Sequence, residues 1–292
     1  MPRDYVLMTD SDSDLPWQFA KEKGIPVVRM PYSVGDQEYF DDNGESGSQA
    51  EFFDKMRKGA TAVTSLLPTA AYLEYFEPVL QQSDLFFIAF SSKMSATFNN
   101  VLEAREELLQ KYPNRKFIVV DTLSIAFPMA LLIMRAYELY EKGASMEELE
   151  KWLLENRTRS HAFVTVDDLV YLRRGGRISS TSAVVGSMLN IKPILSLTKA
   201  GKLEAFGKVQ GHKKAMKAIV DNVAQYIEDP AGQEIVIIHG DSLESAEQLK
   251  QMLQHRIPEA ANISIHMIGP VIGAHAGPGT LAACFMGKER PL

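Results

Sequence analysis

The sequence predicts an α/β protein of two domains, the first built on a parallel sheet and the second on a mixed or partly antiparallel one. Three observations carry this. Short apolar runs alternate with amphipathic segments through the first half, which is the pattern of repeated strand–helix units. In the second half two apolar runs are joined by Lys199-Ala200-Gly201-Lys202, a Gly-containing turn that reads as a hairpin. A chain of 292 residues also exceeds what one small core needs.

The elements follow in order. Tyr5-Val6-Leu7-Met8 is an apolar run ending in Thr9-Asp10-Ser11-Asp12-Ser13-Asp14, and a helix begins near Leu15-Pro16, runs through Lys23 and closes at Gly24. Ile25 to Met30 reads as a strand, Ala50 to Lys58 as a helix, and Val63-Thr64-Ser65 as a strand end entering a loop. Leu85 to Phe90 is uninterrupted and apolar, as expected of a strand covered on both faces. It meets Ser91-Ser92 before a helix from near Ser95 to Lys111. Phe117 to Val120 repeats the pattern, ending at Asp121-Thr122 before a helix from Pro128 to Lys142. Ser145 and Glu148 form a capping box that opens a helix to about Arg157. The domain change is placed after it, giving domains of residues 1–159 and 160–292.

The second domain should hold a strand at Ala162 to Val166, a helix at Ser180 to Leu189 and the hairpin Lys192 to Leu197 with Leu203 to Val209. Beyond it come a helix at Lys213 to Tyr226, a strand at Glu234 to His239, a helix at Leu243 to His255 and a strand at Ile263 to Gly269. Gly269 to Gly279 carries four glycines and two prolines around His275, which predicts a shaped loop where backbone approaches a ligand closely. His275 itself reads equally well as a structural hydrogen-bonder.

Composition narrows the function classes. The single Cys284 leaves no intrachain disulfide framework and no Cys-rich metal site. The N-terminus lacks the long apolar segment of a signal peptide, so the expected location is cytoplasmic. Between Arg173 and Lys217 there are ten Lys/Arg and one acid, Glu204, against 21 basic and 36 acidic residues elsewhere. That contrast marks either a docking surface for a phosphate or acidic partner, or a solvated face. The acidic remainder argues against general nucleic-acid binding.

No Gly-x-Ser-x-Gly elbow, GxxxxGK[ST] loop or GxGxxG turn occurs, and the six histidines form no close pair. Asp10 and Asp12 at a strand end offer one enzymatic alternative, a Mg-dependent phosphatase or phosphotransfer site; capping and loop architecture is the other reading. Thr64, Ser65, Ser92, Ser95 and Thr97 gather hydroxyls at strand ends and helix starts, where they suit an oxyanion without any pairing base. This favours recognition over turnover.

Taken together, these loops resemble the DegV family of bacterial fatty-acid-binding proteins, over essentially the whole chain. The motifs are Asp10-Ser11-Asp12-Ser13-Asp14-Leu15-Pro16, Thr64-Ser65, Ser91-Ser92-Lys93-Met94-Ser95-Ala96-Thr97, Tyr171-Leu172-Arg173-Arg174-Gly175-Gly176-Arg177-Ile178, Leu189-Asn190-Ile191-Lys192-Pro193-Ile194 and Ile272-Gly273-Ala274-His275-Ala276-Gly277-Pro278-Gly279. The chain departs from the family pattern at Leu66-Leu67-Pro68-Thr69 and at Ala96, where a glycine is usual.

The resemblance implies the two-domain DegV-like (EDD) fold with a Rossmann-like first domain, and a non-enzymatic carrier without cofactor or metal. Its ligand would be a long-chain fatty acid. The carboxylate would meet Thr64, Ser65, Ser92, Ser95 and His275. The tail would run between the domains past Val184, Val185, Met188, Leu189, Ile191, Ile272 and Phe285. The implied partner is a separate fatty acid kinase that forms an acyl phosphate for phospholipid synthesis. It would be met by Arg173, Arg174 and Arg177, with transient contact at a membrane surface.

Overall fold

The computed structural model describes residues 5–178 and 190–292. The expected helix at Ser180 to Leu189 therefore lies outside the described residues.

The first domain is built on four parallel strands in the order β2-β1-β6-β7, namely β1 (Tyr5–Asp10), β2 (Val27–Val28), β6 (Asp84–Ala89) and β7 (Phe117–Asp121). Leu85, Phe86, Phe87 and Ile88 are fully buried, because β6 is interior and helices cover both faces. The helices are α1 (Trp17–Lys23), α2 (Gln49–Arg57), α3 (Thr69–Leu80), α4 (Thr97–Lys111), α5 (Ala126–Glu141) and α6 (Met146–Asn156). Gly24, at φ +63°, ends α1 as expected. The Ser145–Glu148 capping box at the start of α6 is made in both directions.

One feature was not anticipated from the sequence. Residues 31–40 form a hairpin of β3 (Pro31–Val34) and β4 (Gln37–Phe40) around Gly35-Asp36. With β5 (Ala62–Thr64) it makes a separate antiparallel sheet in the order β4-β3-β5. The expected strand at Ile25 to Met30 shrinks to two residues because the chain leaves the main sheet to enter this hairpin.

The second domain is a six-stranded mixed sheet, β10-β9-β8-β13-β11-β12. Its strands are β8 (Ser160–Thr165), β9 (Ile191–Leu197), β10 (Leu203–Gln210), β11 (Glu234–His239), β12 (Asn262–Met267) and β13 (Leu281–Met286). Among the described residues of this sheet, only β11 and β12 pair in parallel. Its helices are α7 (Val170–Arg174), α8 (His212–Tyr226), α9 (Leu243–Arg256) and α10 (Pro270–Ala276). One expectation is corrected here, and one strand is added that the sequence did not indicate. The glycine-rich segment 269–279 is not wholly a loop, since Pro270 starts the short helix α10. The final apolar run is the interior strand β13, between β8 and β11.

Strand periodicity then decides which side each residue serves. Ala282 and Cys284 face the first domain and share its core with Ala162, Val236 and Ile238. Leu281, Ala283 and Phe285 face the other way, into a second core with α8 and α9. Among the described residues no helix is long and apolar enough to cross a membrane.

Candidate functional site

The ends of β1, β6 and β7 point toward the second domain, where loops of a parallel sheet collect ligands. The loop after β1 turns inward. Ser11 Oγ accepts from Met30 N–H at 3.0 Å, Ser13 Oγ donates to Asp10 O at 2.7 Å, and Asp14 Oδ1 accepts from Gly269 N–H at 2.8 Å. These bonds bury Asp10 and Asp12 together with Asp41 and leave Asp14 half-buried beside them. Each of the four keeps one carboxyl oxygen without a hydrogen-bond partner. Burial pushes the Asp10 and Asp41 carboxyls up to about 7. Asp12 and Asp14 rise well above the usual carboxylate range, chiefly from burial and then from their acidic neighbours. Among the described residues no three His, Cys, Asp or Glu side chains are arranged to hold a metal ion. Asp10 is 2% exposed and accepts from Phe90 N–H at 3.3 Å. It does not line the cavity beside Thr64 and His275, whereas Asp12 does.

Thr64, the last residue of β5, meets His275 of α10 across 211 residues, with Oγ1 2.8 Å from Nε2. Burial, with Arg177 nearby, lowers His275 to about 4, so the ring is neutral at physiological pH. Its Nδ1 is buried without a partner. An orphaned lone pair there costs less than an orphaned N–H, so the network assigns the proton to Nε2. Thr64 Oγ1 then accepts from the ring, and its own hydroxyl proton is left to donate into the cavity. Two signature glycines make this contact possible. A Cβ on Gly175 would stand 2.2 Å from His275 Nδ1, and one on Gly277, at φ +79°, 2.3 Å from the Tyr171 ring.

A cavity with about 620 Å³ of space, mouth included, opens beside this pair. The first domain contributes Asp12, Met30, Thr64, Ser65, Phe90, Met94, Ser95 and Ile125. The second contributes Leu172, Arg177, Leu203, Val271, Ile272, His275 and Ala276. Its wall is mostly apolar, with Asp12, Thr64, Ser65, Ser95, Arg177 and His275 as the polar members, a composition typical of small-molecule sites.

The structure brings Thr64, Ser65, Ser95, His275 and Ile272 to this cavity. Ser92 is not on its wall; its N–H donates to Asp121 Oδ1 at 3.2 Å, which holds the β6–α4 loop against the end of β7. Ile191 opens β9 opposite Gln210 and is not on the wall. Phe285 is also displaced from the expected tail path. It is fully buried on the far face of β13, stacked on His161 at 4.9 Å. Val184, Val185, Met188 and Leu189 lie outside the described residues.

The departures from the family pattern are absorbed locally. Thr69 starts α3 and donates to Glu103 Oε2 at 2.8 Å, outside the cavity. Ala96 precedes α4 at φ −74°, which needs no glycine.

The basic stretch divides. Arg173 and Arg174 are exposed on α7, whereas Leu172 of the same helix faces the cavity. Arg177 turns inward: its Nε donates to Met94 O at 3.1 Å, and its Nη1 to Gly175 O. Those carbonyls hold it on the cavity wall, so it is not presented outward with Arg173 and Arg174. Lys192, Lys199 and Lys217 pair with Asp167, Glu289 and Asp221.

Sequence reasoning missed Asp12 as a wall residue and the apolar wall from Met30, Phe90, Met94, Ile125 and Leu203. These residues come from five separate places in the chain, and only the tertiary fold assembles them.

Comparison with known proteins bears on the family and the fold. A DegV domain-containing protein of Clostridium perfringens is 38% identical over 287 residues, with 98% of each chain covered. A DegV family protein of Thermus thermophilus, whose structure is described as showing fatty acid binding, superposes with a TM-score of 0.85 at 29% identity, over 97% of this chain and 99% of that one. DegV of Bacillus subtilis, described as a fatty acid binding protein, gives 0.80 at 25% identity over 98% and 100%. The model of the DegV family, described as uncharacterised proteins, matches residues 5–288. With the Thr-Ser loop, the Arg-Arg-Gly-Gly-Arg turn and the glycine-walled histidine each in place around one cavity, the chain belongs to the DegV family.

Proposed function

We propose that the protein is a non-catalytic carrier of one long-chain fatty acid, held with its carboxylate at the Thr64–His275 end of the cavity and its tail between the domains. The first domain, residues 1–159, supplies the head-group loops, and residues 160–292 close the tail path. The observation that carries this is the Thr64–His275 hydrogen bond on the wall of a cavity lined mostly by apolar side chains. A buried carboxylate without donors is heavily penalised. Here Thr64, Ser65 and Ser95 offer hydroxyls, with Arg177 as a cation on the same wall. Each buried methylene adds about 0.8 kcal/mol, which offsets the cost of ordering a flexible tail.

The same reading supplies a partner. A fatty acid kinase would phosphorylate the presented carboxylate, docking on α7, where Arg173 and Arg174 face outward beside the cavity. Loading would take place in the cytoplasm, with transient contact at a membrane surface, because free fatty acid partitions into lipid. Catalytic groups would then reside in the kinase.

Thr64→Val tests the site. It keeps the shape of the side chain and removes the donor, a loss of about 1.5–3 kcal/mol for a hydrogen bond to a charged group. Affinity for oleate, read by ligand exchange, should fall roughly ten- to hundredfold. Unchanged affinity would remove Thr64 from the head-group site.

A further inference from the structure

Asp12 puts a second carboxyl on the wall that the ligand's carboxylate must approach. It is 4% exposed, lies just after β1 and lines the cavity with Thr64, Ser95, Arg177 and His275. Its Oδ1 has no hydrogen-bond partner. Two buried like charges at such a place repel strongly in a low dielectric, and Arg177 can balance only one of them.

We propose that Asp12 is a specificity-determining residue that admits a carboxylate ligand only while it holds a proton, the two carboxyls then sharing that proton in a single pair. The step is a proton balance with no other chemistry. Protonated Asp12 donates its O–H toward the ligand's carboxylate, and the pair carries one negative charge opposite Arg177. When Asp12 is ionised, binding must take up one proton from solvent.

The groups around it favour the proton. Asp10, Asp41 and Asp14 all raise Asp12 further after burial has done so, with Arg177 alone opposing them. Tyr72 of α3 is near enough for Asp12 to raise its phenol. His275, lowered to about 4, carries no charge in the neutral and alkaline range. Asp10 and Asp41, raised to about 7, titrate without lining the cavity.

The inference rests on the fatty-acid reading above, and the test separates the two. Radiolabelled oleate below its micelle concentration is titrated onto the full chain from about pH 6 to about pH 9.5, beside oleyl alcohol as an uncharged probe. Oleate affinity of the native protein should fall with rising pH toward a limiting slope of about tenfold per unit, as required when one proton is taken up. Asp12→Asn keeps the size and a donor. It should flatten that slope and bind oleate at least about tenfold tighter at the alkaline end. Oleyl alcohol should show no such slope in either protein. Parallel oleate profiles in the native protein and Asp12→Asn overturn the role of Asp12. Failure of the native protein to bind oleate at about pH 6 overturns the carrier reading instead. Circular dichroism confirms folding, and Asp12→Ser replaces Asn if that variant does not fold.

Discussion

Residue by residue, the region around β1 is built against its own stability. Asp14 and Asp41 meet at Gly269, where Asp14 Oδ1 and Asp41 Oδ2 each lie 2.7 Å from the position a Cβ would take. Asp41 is buried and Asp14 half-buried, so the fold prefers these carboxyls protonated, while the unfolded chain releases its protons near the ordinary carboxylate value of 3.8. The native state therefore binds more protons, and stability falls as pH rises. For Asp41, raised to about 7, the loss starts near 3.8 and is complete above about 7. One unit is about 1.4 kcal/mol, so the full penalty is on the order of 4 kcal/mol. Asp41→Asn should raise the urea midpoint at about pH 8 and shrink the decline between about pH 5 and pH 8. An unchanged decline, followed by fluorescence, would show that Asp41 is solvated in the native state. None of this was legible beforehand. A run of Asp and Ser after a strand looks like a solvated loop; only the bonds to Met30 and Gly269 turn it inward.

At the scale of elements, legibility follows the range of the information. Helices ended by local chemistry were readable, such as α1 at Gly24 and α6 at its capping box. The β3–β4 hairpin was legible in principle, as Tyr32, Val34, Tyr39 and Phe40 flank Gly35-Asp36, but its polar β4 hides the alternation. β13 was not, because Ala282, Ala283 and Cys284 are small residues whose strand character comes from lying between two other strands. α7 shows how one short helix divides its duties. Leu172 packs inward at 2% exposure while Arg173 and Arg174 point out. Reversing either arginine to Glu should leave oleate affinity intact and reduce acyl-phosphate formation with a fatty acid kinase by about tenfold or more, a loss that deepens at low salt. Normal phosphorylation in both variants would make α7 a solvated face and not a docking surface.

Across the whole molecule, the two sheets are tied together at both ends of the second domain's chain. Arg290 is 1% exposed and reaches back to both. It donates to Leu123 O at 2.7 Å and Ser124 Oγ at 2.6 Å in the β7–α5 loop, to Ser160 O at 2.8 Å, and to Thr198 O at 2.9 Å beyond β9. Burial lowers this guanidinium to about 9, and neutral carbonyls and hydroxyls satisfy its donors. Ser91 adds a second tie, donating to Gly201 O at 2.7 Å from the loop that also carries Ser95. The cavity is thus framed by elements that both domains hold in register, which suits an apolar chain lying between them. Native mass spectrometry of the protein purified from bacterial cells without added lipid tests that account most directly. A bound species with the mass of a single long-chain fatty acid, released on denaturation and recovered by solvent extraction, is the predicted result. Protein that carries no such species, and that takes up none when oleate is supplied, would contradict it.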